Sequence, residues 1–509
     1  MKKLTTIAMG VAVLSSALLS FSPQEASAES NKTLKIGLFW LSSDLNPTTK
    51  WNGWTLGRLG IGENLVQVDE NMKFKPVLAE SWNKVDDKTT VFKIREGVTF
   101  HDGSKVTAAA VKKSIEHALK APKRKDVKFP VESIVAEGQK LTITTSKPYA
   151  ILVNNLSDPF FIIVNGFDKE GFASKPIATG PFVVDKFEVA KGVWLSKNKN
   201  YWGNKSNVDK VEALLIKDAN TRAMALQSGE VDLVTQIEPN DLQMLEKTGK
   251  FTVQKGANAR IFMARLNTQK DYMKNIDFRK AIVYAIDQET IVKNIAKGYP
   301  AKGPFPPMYD FMYKGENPYK FNPSKAKELL DNAKIIDSDK DGFREFNGKN
   351  LSLKYIARTG HGTTAKNIGI AIQSSLKDIG IKMEVVQVES FGDILKKGEF
   401  DLVWERWTAA PGNDPESFLK SSFQGDSVGN RGEYSNPEFD KIIAEMSKAL
   451  VKDERIALSH KAVEILLKDV PALFMYHGEG NIVTSKNVTG IKRFPSEIYF
   501  IDSRVSIGK

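Results

Sequence analysis

Two periods run through this chain. Polar and apolar side chains alternate over short stretches, and apolar residues recur every three or four positions over longer ones. Alternation places successive side chains on opposite faces of a strand, whereas the longer period lines one face of a helix. Residues 33–40 (TLKIGLFW) open as a strand. A second strand follows where Val91, Lys93 and Arg95 alternate with Phe92 and Ile94. His101 and Asp102 come next; as neighbours on a strand they cannot face each other as an acid–base pair, and Asp102-Gly103 reads as a turn. Residues 107–119 carry Ala110, Val111, Ile115 and Leu119 at helical spacing behind Thr107, a suitable N-cap.

The pattern continues with strands at 141–145 and 211–216 and a helix at 220–228. A long amphipathic helix is predicted over 277–296, with Ala281, Ile282, Tyr284, Ala285 and Ile291 inward. After a proline-rich loop at 300–307, a strand at 351–357, a helix at 363–379 and a strand at 382–388 make a βαβ-like unit. A late helix covers 453–467. Strands and helices alternate without an internal repeat or a low-complexity linker, which argues an α/β class. At ~150 residues per domain, 509 residues allow roughly three domains.

Composition narrows the chemistry. There is no cysteine, which excludes thiol catalysis, thiolate metal sites and a lipid-modified N-terminal cysteine. The first 28 residues read as a secretory signal: Lys2 and Lys3, an apolar core from Ile7 to Leu19, and Ala26-Ser27-Ala28 as a cleavage site. No later stretch approaches ~20 apolar residues, so the expectation is an exported, soluble protein. The net charge of +12 is dispersed; the densest run, KAPKRKDVK at 120–128, lacks interleaved aromatics and reads as a solvated face rather than a nucleic-acid site.

Several motifs fail on inspection. Asp337, Asp339, Asp341 and Gly342 spell the opening of a calcium loop, but the twelfth position is Gly348, which offers no side-chain oxygen, so an acidic turn is expected. Gly60 and Gly62 begin a dinucleotide fingerprint that Leu65 breaks. No hydrolase signature is present, and His101, His117, His361, His460 and His477 have no local metal spacing.

Residues 78–115, LAESWNKVDDKTTVFKIREGVTFHDGSKVTAAAVKKSI, resemble the signature of the family 5 solute-binding proteins of ABC importers. The resemblance continues through ATGPF (178–182), NKNYWGNKSNVDKVE (198–212), TRAMALQSGEVDL (221–233), DFRKAIVYAID (277–287) and NPSKAKELLDNA (322–333), and covers essentially the whole mature chain. It implies a two-lobed periplasmic-binding-protein fold with mixed sheets and cargo in a cleft. Lobe I is expected over 29–262, with an inserted subdomain at about 70–190, lobe II over 263–477, and a return to lobe I over 478–509. Two crossing segments are placed near 260–267 and 475–483. Such a protein makes and breaks no bond, carries no catalytic cofactor, binds no nucleic acid, works as a monomer, and hands cargo to an ABC permease. His101 is expected to be structural.

The cargo is read from departures. Peptide carriers of the family use an aspartate to hold the peptide amine in the loop matching 404–418, WERWTAAPGNDPESF, where Ala410 and Pro411 stand here. The A-P-x-x-D-P form and WNGWTLGRLGIGENLVQVDE (51–70) resemble the nickel-binding branch. Asp158, however, stands where that branch usually has an arginine. With no cysteine and five histidines, a small chelator must supply most nickel ligands, either free histidines or an opine-type metallophore. Arginines would then hold its carboxylates and tryptophans cover its faces. The expected ligand-binding residues are Arg358, Arg406, Trp404, Trp407, Trp51, Trp54 and Arg58, with His477 and His361 as metal ligands. Peptide carriage is the alternative, and a secreted hydrolase a remote third.

Overall fold

The computed structural model describes residues 32–124, 126–425, 427 and 429–508; the secretory segment expected at 1–28 lies outside them. Its centre is a mixed sheet whose strands we number in chain order: β1 (Thr33–Leu38), β2 (Phe182–Glu188), β3 (Gly192–Lys197), β4 (Lys210–Leu215), β5 (Leu233–Thr235), β6 (Phe251–Leu266), β7 (Ser352–Arg358), β8 (Lys382–Val388), β9 (Leu402–Thr408) and β10 (Ala472–Ser485). The spatial order is β8-β7-β9-β6-β10-β5-β1-β4-β3-β2, and the two-residue strand Tyr299–Pro300 pairs with β10. β1 runs parallel to β4 and β5, and β7 runs parallel to β8 and β9. Four further strands, Ala79–Lys84, Thr89–Ile94, Lys140–Thr145 and Val131–Glu137, form a separate antiparallel sheet in that order.

β6 and β10 hold the large sheet together. Phe251–Ala257 of β6 pair with Glu479–Ser485 of β10, while Ile261–Arg265 pair with Ala472–His477. Between them the register shifts, at Ala257/Ile261. Beyond the break β6 gains β9 as its second neighbour, from Arg260↔Thr408 to Leu266↔Leu402. A bulge of this kind leaves residues unpaired and bends the ribbon. Separate apolar cores lie on either side: one around β7, β9 and the helices against them (Leu353, Ile368, Ile372, Leu402), and one around β1 and β4 (Leu34, Ile36, Val211, Ala213).

Helices needed below are α1 (Gly53–Arg58), α2 (Ala108–Lys120), α3 (Pro239–Thr248) and α4 (Gly362–Lys377). α2 begins where the sequence places it, with Thr107 Oγ1 accepting the Ala110 N–H at 3.2 Å. Its Val111, Ile115 and Ala118 join the core under the small sheet. His101 is tied down there: its Nε2–H donates to the Gly180 carbonyl at 3.0 Å.

The long helix predicted over 277–296 is broken. Residues Ile276–Tyr284 are helical, a second short helix runs Gln288–Ile291, and Val292–Ala296 form a wide turn. Asp287 causes the restart, because its carboxylate caps the Thr290 N–H at 3.0 Å, an arrangement that needs a non-helical backbone at the cap. The acidic turn is closed by its own amides: Gly342 N–H donates to Asp337 at 3.1 Å and Asn350 to Asp341 at 2.7 Å.

Candidate functional site

Parallel strands send the segments after their carboxyl ends to the same edge of a sheet, where α/β proteins gather ligand-binding groups. Here two such sets face one another. The ends of β1 and β4 deliver Phe39, Trp40 and Lys217; the ends of β7, β8 and β9 deliver Arg358, His361, Glu389, Arg406 and Trp407. Between them lies a cavity of about 630 Å³, completed by Trp51, by Trp54 and Arg58 of α1, by Arg124 and Asp126 beyond α2, by Asp158, and by Arg260 of β6.

Six cations line this cavity, and they are managed differently. Arg124 is committed: it forms ion pairs with Asp126 and Asp158, both at 3.0 Å, while its guanidinium lies 3.8 Å from the Trp51 ring centroid. Asp158 therefore brings in an arginine from a distant loop. Arg260 pairs with buried Glu497, which also accepts from Asn258 at 2.7 Å and Gln236 at 3.0 Å. Against the effect of burial, these contacts hold Glu497 below the usual carboxylate range.

The other arginines are under-compensated. Arg58, 4 % exposed, donates Nε–H to the Glu497 carbonyl at 3.1 Å, and its guanidinium sits among Phe39, Trp40, Trp54 and Phe500 at 4.8–5.6 Å. Burial and then Arg260 push its pKa down to about 9, so it stays cationic at neutral pH. Arg406 meets only Gln236 at 3.3 Å and the Gly360 carbonyl at 3.5 Å; burial and Arg260 lower it to about 10. Exposed Arg358 lies over Phe391 at 5.9 Å. Among the described residues no carboxylate forms an ion pair with Arg58, Arg358 or Arg406. A cavity with unmatched cations favours an anionic occupant.

His361 sits in the wall, half-buried, on the turn between β7 and α4. Its Nδ1 is buried without a hydrogen-bond partner among the described residues. Burial, followed by repulsion from Arg406, Arg358, Arg260 and Arg431, lowers its pKa to about 2. The ring is therefore neutral at any ordinary pH and keeps a lone pair, as metal coordination requires. Behind it a second cavity of about 310 Å³ shares Arg260, His361 and Arg406 with the first.

Aromatic rings close one side. Trp51, 40 % exposed, meets Trp407 edge-on at 6.1 Å, and Arg431 covers Trp407 at 5.2 Å while pairing with Glu405 at 2.6 Å.

Seven of the nine residues expected from the sequence thus line one cavity: Arg358, Arg406, Trp407, Trp51, Trp54, Arg58 and His361. Two lie elsewhere, which corrects their expected position. Trp404 is 1 % exposed and packs among Phe262, Tyr355 and Tyr476; it shares a face with Arg406 but lies two residues deeper in β9, inside the core. His477 is 3 % exposed; Tyr476 and Gly478 line the second cavity, and the period of two turns His477 to the other face of β10. Arg124 and Arg260 were missed as site residues. Arg260 opened the expected first crossing segment, but Arg124 lay in the basic run read as solvated, and its partner Asp158 is 34 residues away.

Three comparisons bear on this arrangement. The nickel-binding protein NikA of Staphylococcus aureus is 27 % identical over 501 residues, spanning 98 % of this chain and 99 % of the relative. The crystal structure of that species' NikA in complex with Ni(L-His)2 superposes with a TM-score of 0.84 at 27 % identity, covering 94 % of this chain and all of the other. DppA of Helicobacter pylori, in complex with the peptide STSA, has a TM-score of 0.79 at 27 % identity, covering 94 % and 98 %. The fold is the two-lobed periplasmic-binding-protein type of these neighbours. The family profile described as bacterial extracellular solute-binding proteins, family 5 middle region, matches residues 73–430, and the chain belongs to that family of ABC-importer binding proteins.

Proposed function

We propose that this protein captures nickel(II) as a small-molecule chelate in the periplasm, closes its lobes over it, and delivers it to an ABC permease. The observation that carries this reading is a wall where Arg58, Arg358 and Arg406, none of them in an ion pair among the described residues, stand with the neutral imidazole of His361. A metal chelate with peripheral carboxylates needs a neutral donor and cations. In this reading Arg58, Arg358 and Arg406 hold the chelator's carboxylates, His361 completes the metal shell, and Trp51, Trp54 and Trp407 cover the chelator. The nickel–histidine cargo of the S. aureus relative supports the same class. The lobes divide near residues 262 and 477, close to the register break of β6 and β10. No bond is made or broken.

Calorimetry tests this. Nickel(II) with excess L-histidine is expected to bind tightly and bare nickel(II) weakly, because one imidazole cannot fill a coordination shell. Equal affinity for bare nickel would remove the chelator from the reading. Binding of a peptide mixture, with no response to either nickel solution, would replace it with peptide carriage.

A further inference from the structure

The turn that carries Arg358 and His361 is held within its own half of the sheet at Thr359, which donates to Glu389 at 2.7 Å, and by Phe391 edge-on to His361, but the helix that follows it has no side-chain cap there. The turn is short and helical, Thr359–His361, between β7 and α4. Gly362 follows with φ +82°, a left-handed conformation that glycine adopts without cost. α4 is 16 residues long, and its N-cap position is His361 itself, whose side chain makes no capping bond. The first amides of a helix need partners, and its positive end favours an anion.

That anion arrives from across the cleft. Glu238 follows β5 and holds the N-cap position of α3, yet its side chain makes no capping bond there. Its Oε2 accepts a hydrogen bond from Thr364 Oγ1 in the first turn of α4. Its Oε1 lies so close to Gly362 that a Cβ at that position would collide with it. β5 pairs with β1 and β10, whereas β7, which leads into α4, pairs with β8 and β9, so this contact joins opposite sides of the β6–β10 ribbon. Glu238 and Thr364 also line the second cavity beside His361.

We propose that Glu238 is a positioning residue: reaching across the cleft to the first turn of α4, its carboxylate fixes the Arg358–His361 turn and sets the imidazole in its cargo-facing place as the lobes meet. Closure and completion of the metal shell are then one event, and an open protein holds His361 loosely. The proposal rests on the nickel-chelate reading only for the choice of cargo. Burial raises the Glu238 pKa, and Thr364 and Arg406 offset only part of that rise.

Asn154 provides the control, because it too joins the two sides, but its amide donates to the Gly412 and Asn413 carbonyls at 2.8 and 3.3 Å rather than to α4. Protein labelled with 15N-histidine is compared as parent, Glu238→Ala, Glu238→Gln and Asn154→Ala, with the His361 ring resonances assigned through His361→Asn. Spectra are recorded without cargo and with nickel(II) plus L-histidine. Glu238→Ala is expected to shift the His361 ring nitrogens and to weaken nickel–histidine binding about tenfold or more, the scale seen when a group orienting a metal ligand is removed. Glu238→Gln, which still accepts from Thr364, should fall between, and Asn154→Ala should leave the ring unmoved. His361 resonances identical to the parent's in both Glu238 variants and both conditions would overturn the proposal. If the parent itself takes up no nickel–histidine, the cargo reading falls, while the ring resonances still decide the role of Glu238.

Discussion

At the scale of single residues, charge and burial set what the cavity can hold. His361→Asn is expected to fold like the parent and lose most nickel–histidine affinity, and Arg358→Lys to lose roughly tenfold, since lysine cannot copy the two parallel bonds of a guanidinium to a carboxylate. Calorimetry on both variants checks this; parental affinity in either would place that residue outside the contact. His361 shares the pH dependence of stability with two other histidines. Burial lowers His477 and His101 to about 4, below the ~6.5 of an exposed imidazole. The neutral ring is favoured in the fold, so the stability it contributes is complete above about pH 6.5 and lost as pH falls towards 4. The melting temperature of the parent should therefore drop over that window, and His477→Gln should flatten the drop. An unchanged slope would mean His477 is already protonated in the folded protein.

At the scale of elements, the strand that presents Arg406 and Trp407 is pinned from below. Glu405 of β9 is 1 % exposed and pairs with Arg265 of β6, also 1 % exposed, at 2.7 Å. Arg265 donates again to the Ser422 carbonyl at 2.7 Å, and Trp407 Nε1–H donates to Glu405 at 3.2 Å. Removing one member of such a pair strands a charge in the core, which costs about 3–5 kcal/mol. Glu405→Ala should lower the urea midpoint accordingly, while Glu238→Ala, at a half-buried site, should not. Loss of less than about 1 kcal/mol would show that Arg265 finds other partners or water. The broken helix at 276–296 teaches a related lesson. Its apolar spacing is continuous, but Asp287 offers the backbone a cap, and a side-chain cap competes directly with continued helix.

At the scale of the whole molecule, β6 and β10 are the only described strands that pair on both sides of the register break, so the sheet can bend there without loss of either core. Cargo that touches both walls stabilises the closed arrangement by its extra contacts there. Small-angle scattering should give a smaller radius of gyration when nickel(II) and L-histidine are added. No compaction alongside binding measured by calorimetry would exclude hinge closure as the capture step.

The sequence by itself determined the class of this protein. Alternating periods require strands and helices in turn, and the strand–helix–strand unit at 351–388 was legible because its hydrophobic pattern is local. Seven cavity residues were legible for a related reason: segments at strand ends and loop tryptophans and arginines carry recognisable local settings. What only the tertiary structure decided is which face each side chain takes and which distant group it meets. Trp404 and Arg406 lie on one face of one strand, and depth in the sheet alone separates core from cavity. Arg124 enters the site because Asp158 and Trp51, far away in sequence, converge on it. Glu238 meets Thr364 across 126 residues. Such pairings depend on how the sheet is ordered and where its long ribbon bends, and no period along the chain encodes a contact between segments that only folding brings together.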